Sequence, residues 1–310
     1  MKGSVDVGQL TEMLTQIISY TSIYALASLG IVIGGRTGVF NISGEGIMLA
    51  SASAGFIAAY QTGSWFMGFV VGALMGGLFA LILIYIHEKL KISQFILGIT
   101  LVILGTGLSD LLYKTAIGVQ LFAPEAPRVP DIRIPGITNI PIISAIFNQE
   151  VIVYFTYIAV FIAFYIFYHT RIGLETRAIG EDPKAADVVG INVKLRRYVT
   201  TIIGGMFMGL AGAYLPLVVT GTYTTNISNG RGFMAIGIAI FASWRPERAL
   251  LGSFIFAAIE VISFQQQLGA SMFPYQFLLM LPFISVLLIM WLFNKKVEFP
   301  AALGKPYSRE

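Results

Sequence analysis

The chain contains no cysteine, so disulfides, thiolate nucleophiles and Cys-based metal sites are excluded. Histidine is almost as scarce. His87 and His169 are the only two; each falls at the end of an apolar run, where interfacial snorkelling accounts for it. No cluster of metal-ligating residue types stands out. A nucleotide-binding G-x-x-x-x-G-K-[ST] motif is also missing. The nearest fragment, Leu303-Gly304-Lys305-Pro306, lacks the first glycine, and its proline removes a backbone donor. The chain is therefore expected to bind no cofactor of its own. Charge is the most telling shortage: Asp, Glu, Lys and Arg make up 12% of 310 residues, about half the share of a soluble domain.

Hydrophobic residues fill what charge leaves, at 56% of the chain. Apolar segments fall at 13–35, 47–61, 65–86, 92–113, 150–168, 199–219, 231–244, 249–264 and 276–293. Several reach the roughly 20 residues needed to cross a bilayer. The expected fold is an all-α polytopic membrane bundle of about 8–10 spans, forming a single transmembrane domain over 1–310. The first run is long and has no small-residue cleavage pattern, so it reads as a retained span rather than a signal peptide. Segments 47–61 and 231–244 are short, and each follows a glycine-rich polar stretch. That combination suggests broken or re-entrant helices, which are tolerated where protein or a water-filled cavity surrounds them. Small residues recur every fourth position at Gly68, Gly72 and Gly76, at Gly30 and Gly34, and at Gly205, Gly209 and Ala213. This spacing lets helix backbones approach closely.

Basic excess marks the cytoplasmic side. It appears in the connector His87-Glu88-Lys89-Leu90-Lys91, in the loop 169–198 and in the tail with Lys295, Lys296, Lys305 and Arg309. The C-terminus is accordingly expected inside the cell. The net charge of +4 reads as orientation signal, with no nucleic-acid partner. Residues 114–149, with prolines at 124, 127, 130 and 135, read as an extracytoplasmic loop of little regular structure. The loop 169–198 contains a miniature helix with its own stop and start signals. Asp182 is placed to cap it, Pro183 suits its first position, and Gly190 suits the position just past its end. Ala185, Ala186, Val188 and Val189 give it an apolar face suited to another protein's socket.

Five charges lie in or near the spans: Arg36, Glu45, Asp110, Arg231 and Glu260. Ionisable groups at membrane depth usually line a pathway or pair with one another. Glu260 is expected to face the bundle interior and pair with Arg36 or Arg231; a snorkelling glutamate near a span end is the competing reading. There is also an internal echo. Asn41-Ile42-Ser43-Gly44-Glu45-Gly46-Ile47-Met48 matches Asn226-Ile227-Ser228-Asn229-Gly230-Arg231-Gly232-Phe233-Met234 with one residue inserted, and each copy precedes a short apolar segment. Interrupted segments in matching positions point to a transport pathway, here Asn41, Ser43, Glu45, Asn226, Asn229, Arg231 and Glu260. Helix capping by Asn and Ser is the alternative, and chance similarity in a glycine-rich chain is the alternative to a true repeat.

GGRTGVFNISGEGIM (34–48) resembles permease subunits of ATP-binding-cassette importers, in the branch that takes ribose-type sugars, nucleosides and branched-chain amino acids. RIGLETRAIGEDPKAADVVGINVKLRR (171–197) resembles that family's cytoplasmic coupling loop. GRGFMAIGIAIFASWRP (230–246) and FPAALGKPYSRE (299–310) resemble the simple-sugar and nucleoside subgroup. The resemblance implies a multi-pass cell-membrane permease that is not itself an enzyme. It implies separate ATPase subunits using ATP and Mg, a second and different permease chain, an extracytoplasmic solute-binding protein, and surrounding lipid. It places the ATPase contact at Glu181, Asp182, Pro183, Ala185, Ala186, Val188, Val189 and Gly190. The expected solute is a nucleoside or a related pentose-bearing sugar, with ribose-type sugars or riboflavin-like compounds as alternatives. A secondary transporter or channel is the alternative of another class, but it would call for a run of buried carboxylates or a filter-like loop, and neither is evident. An intramembrane enzyme lacks its usual catalytic cluster.

Overall fold

A computed structural model describes residues 7–118, 123–133, 142–268, 275–293 and 297–307. Twelve helices lie among these residues: α1 (Val7–Gly35), α2 (Gly44–Thr62), α3 (Trp65–Leu90), α4 (Gln94–Ala116), α5 (Ile143–Phe147), α6 (Val151–His169), α7 (Arg171–Glu181), α8 (Pro183–Val188), α9 (Val193–Tyr214), α10 (Arg231–Phe241), α11 (Pro246–Leu268) and α12 (Tyr275–Phe293). A π-helical turn at Leu215–Val219 prolongs α9. Six helices are long and apolar enough to cross a membrane: α1, α3, α4, α6, α9 with its extension, and α11. Together with α2, α10 and α12 they occupy the nine expected apolar segments.

The glycine pattern has the packing consequence expected of it. A Cβ on Gly76 would collide with the backbone of Gly205, and one on Gly30 with that of Gly204. The α3–α9 and α1–α9 contacts are therefore backbone against backbone, which places α9 at the centre of the bundle. Dense packing with small side chains replaces the hydrophobic effect, which is weak between helices in lipid.

Two expectations change. The segment 47–61 is not a half-helix. It begins at Gly44 and runs for 19 residues, about 28 Å at the α-helical rise. Its apolar run looked short because Gly44-Glu45-Gly46 was read as part of the preceding polar stretch, whereas Glu45 is buried against other helices inside the first turn. The loop 114–149 also holds more order than its prolines suggested. Asp131–Arg133 (β1) pairs antiparallel with Asn148–Glu150 (β2), because the backbone there can form ladder bonds away from the prolines. Pro135 lies outside the described residues.

The second short segment does behave as a broken helix. After the π-turn the chain travels without regular structure from 220 to 230, then forms α10, only 11 residues long and about 16 Å in length. The connector 87–91, the loop 169–198, residues 243–245 and the tail 297–307 gather at one end of the bundle. Arg36 Nε donates to the Trp244 carbonyl (2.6 Å), Ala302 N to the Gly180 carbonyl (2.9 Å) and Gly304 N to the Gly38 carbonyl (2.9 Å). Arg197 ties this end together. Fully buried, it donates to Glu88 (3.1 Å), to the Thr37 carbonyl (3.0 Å) and to the Lys305 carbonyl (3.1 Å). At the opposite end the 123–133 segment meets the turn before α10, Ala126 N donating to the Gly221 carbonyl (2.8 Å).

Candidate functional site

The two echoed segments lie against each other. Gly44 and Gly232 face one another, and a Cβ on Gly232 would collide with the Glu45 backbone. Only glycine at 232 allows α2 and α10 this approach. Glu45 then reaches across. One carboxylate oxygen accepts from Ser228 Oγ (2.5 Å) and Gly230 N (2.8 Å), and the other from Gly232 N (2.8 Å). Gly230 and Gly232 carry two of the backbone donors that a helix N-terminus leaves unpaired. Glu45 thus caps α10 from another helix, where the helix dipole also favours a negative charge.

Arg231 holds the position in the second copy that Glu45 holds in the first. Its Nη2 donates to Glu260 (2.6 Å), while Tyr24 Oη donates to the other Glu260 oxygen (2.5 Å). The Tyr20 ring lies under the guanidinium, 5.7 Å away. Of the two partners expected for Glu260, the structure selects Arg231. Arg36 is at the basic end, bonded to Trp244 and to Tyr168 Oη (3.1 Å). Three helices give the depth of the cluster. Arg231 is ten residues from the end of α10, Tyr24 eleven from the end of α1, and Glu260 fourteen from the start of α11. At about 1.5 Å per residue these place it about 15–21 Å from the basic end, half-way or more across a 30 Å hydrocarbon core.

The amides split by role. Asn41 Oδ1 accepts from Ser43 N (3.0 Å) and Ser43 Oγ (2.5 Å), a local turn that shapes the entry to α2. Ser43 stands at the cap position but makes no side-chain capping bond. Asn226 and Asn229 take left-handed backbone conformations (φ 59° and 46°); both are exposed, and Asn229 borders a cavity with Arg231 and Glu260. Ser228, part of the echoed segment, joins the cluster through Glu45; Tyr20 and Tyr24 complete it without having been singled out. Two tyrosines four residues apart in an otherwise small and aliphatic stretch were the available signal.

In the loop 169–198, Asp182 Oδ1 accepts from Lys184 N (3.0 Å) and Ala185 N (3.1 Å), Pro183 opens α8, and Gly190 is left-handed (φ 87°). The start and stop signals were read correctly. Of the expected apolar face, only Ala186 departs. Ala186 is 3% exposed, packed with Ile179, Val193 and Tyr307, because a short helix must bury one side to be held at all. Ala185, Val188 and Val189 point away, Val188 at 87% and Val189 at 75% exposure. At the other end, burial and then the carboxylate of Asp131, opposite in the strand pair, hold the Glu150 carboxyl above its usual range.

A multi-span bundle with a charged cluster at mid-depth and a broken helix beside it defines a membrane transport protein. The chain belongs to the family described as the permease component of branched-chain amino acid transport systems, whose pattern matches residues 13–292. Among its relatives is a Haloferax volcanii protein provisionally named a glucose ABC transporter permease (TsgC13), 33% identical over 82% of this chain and 78% of its own length. The guanosine ABC transporter permease NupQ of Bacillus subtilis is 29% identical, over 96% of this chain and 98% of its own. The nucleoside ABC transporter permease NupC of Lactococcus lactis is 27% identical, over 97% and 98%.

Proposed function

We propose that this chain forms, with a second and different permease chain, the translocation path of an ATP-driven importer for nucleosides or related pentose-bearing sugars. The names of the guanosine and nucleoside permeases, which it matches over nearly its whole length, carry the solute assignment; glucose in a third relative's name supports a simple sugar as the second reading. The basic end faces the cytoplasm, with the C-terminus on that side. Lys89, Lys91, Arg171, Arg177, Lys184, Lys194, Arg245 and Arg248 belong to it, against Lys114, Arg128 and Arg133 at the other, and the cytoplasmic face is the basic one. A solute-binding protein docks at the opposite end.

Separate ATPase subunits dock on α8. Its exposed Val188 and Val189 enter their surface, while buried Ala186 and the Asp182 cap make it rigid. Motion then passes through Ile179, Val193 and the tail into α9 and α1. Val189→Asp tests this. Folded yield and membrane insertion stay at the native level, co-purification of the ATPase subunits falls at least tenfold, and ATP-driven uptake is lost. Native uptake in that variant, or equal solute flux with the ATPase subunits omitted, would refute the scheme; the second result would instead indicate a channel or secondary transporter.

A further inference from the structure

Beside the Arg231–Glu260 pair lies a cavity of about 260 Å³ between α1, α10, α11 and α12. One wall is polar: Arg231 and Glu260, with Ser263 and Gln267 further along α11. The ring of Phe264, one turn beyond Glu260 on the same helix, lines the cavity as well, and the α12 side carries the ring of Phe283. Phe283 is held in place by Gly230, where a Cβ would come within 3.1 Å of its ring.

Hydrogen-bonding capacity remains on the polar wall. A carboxylate has about four lone-pair sites; Glu260 uses two, on Arg231 and Tyr24. A guanidinium has five N–H donors. Arg231 sends Nη1 to the Ile227 and Ser228 carbonyls (3.2 and 3.4 Å) and one Nη2 hydrogen to Glu260; its Nε is sealed inside the protein, so the donor left for a solute is the second hydrogen of Nη2. The side chains of the pair retain 14% and 16% exposure. At mid-depth that exposure must open to a polar space rather than to lipid, since bare charge in hydrocarbon is costly.

We infer that this cavity is a solute subsite for a neutral, polyhydroxylated ring, such as the glycosyl part of a sugar or nucleoside. The inference rests on reading the chain as an importer permease. The pair offers an acceptor and a donor side by side, so one hydroxyl of a vicinal diol donates to Glu260 while its neighbour accepts from Arg231. The phenyl rings cover the ring's C–H face. Charged solutes are disfavoured. Glu260 repels an anion, Arg231 repels a cation, and Glu45 already fills the N-terminus of α10, the dipole end that would attract a negative group. A space of about 260 Å³ suits one ring with its hydroxyls.

The test uses the complete transporter in proteoliposomes, with ribose, guanosine and glucose as probes, each beside an analogue lacking one ring hydroxyl. A site built to bond a hydroxyl rejects the analogue without it by large factors. Whatever discrimination the binding protein contributes is common to all variants. Glu260→Gln should shrink the parent-to-deoxy uptake ratio at least tenfold. Gln267→Trp, which fills the cavity without touching the pair, should cut uptake at least tenfold. ATP hydrolysis stimulated by the binding protein reports assembly for each variant. An unchanged ratio in Glu260→Gln, or native uptake in Gln267→Trp, overturns the subsite and leaves the importer reading standing. If one variant fails to assemble, the other decides. If the native complex carries none of the probes with ATP, the importer reading falls and the subsite with it.

Discussion

The two echoed segments start from nearly the same residues and reach opposite ends. In the first, 41–48, the acidic residue Glu45 is 4% exposed and its bonds all go to protein. In the second, 226–234, the matching residue is Arg231, which lines a cavity with Glu260. The first continues into a 19-residue helix, the second into one of 11 residues. The first segment is thus a fixed clamp that reaches over and holds the second, and the second presents polar groups to open space. A clamp must be fully satisfied to be stable. A surface for a moving solute must keep some hydrogen-bonding capacity free.

The sharpest way to break this contrast is Glu45→Ala. It strands Ser228 Oγ and Gly232 N as buried donors, each costing about 1–3 kcal/mol, and Gly230 N as a partly buried one. The expected loss of stability is about 3 kcal/mol or more, read as thermal unfolding in detergent and as folded yield. Glu45→Gln keeps one accepting oxygen and should lose about half as much. A native melting temperature for Glu45→Ala would mean that the bonds to α10 hold nothing.

Next in size is the Arg231–Glu260 pair. Removing either partner alone leaves a lone charge at depth, expected to cost about 3–5 kcal/mol when buried and less here because both side chains keep some exposure. Replacing both, as Arg231→Met with Glu260→Met, should restore most of that stability and still abolish uptake. Stability and transport then separate, as they cannot at Glu45, where no single partner can be removed in compensation. A double variant no more stable than either single one would place the pair in the same structural role as the clamp.

Some of this was legible in the chain and some was not, for physical reasons. The half-helix at α10 was readable because a glycine-rich polar stretch precedes it and the apolar run there, 231–244, is short. The caps of α8 were readable because capping is local: Asp182 bonds residues two and three positions on. Glu260 could be narrowed to two arginines because charges at depth are so few. The clamp could not be seen. Glu45 bonds residues 183 to 187 positions away, and no local pattern encodes that meeting. The same holds for Arg197 and Glu88, 109 positions apart. The facing of Ala186 was misread because a six-residue helix has too few turns to define a stripe, and its buried side is set by Tyr307 from the tail.

The finest difference between the segments lies in their first residue. Asn41 and Asn226 match in the echo but work through different chemistry. Asn41 uses its side chain, whose oxygen accepts two bonds from Ser43. Asn226 uses its backbone: at φ 59° it occupies the left-handed region that Asn tolerates better than most residues and Gly tolerates best. Substitution by glycine separates the two. Asn226→Gly should be neutral within about 0.5 kcal/mol, whereas Asn226→Ala should cost about 1–2 kcal/mol. Asn41→Gly should cost about 1 kcal/mol or more, because the Ser43 backbone donor loses its acceptor in a buried site, and Asn41→Ala should cost a similar amount. Thermal unfolding of the four variants in detergent measures all of this. If glycine were equally harmless at both positions, the two asparagines would share one backbone role, and the division between a clamping copy and an open copy would have to be redrawn from Glu45 and Arg231 alone.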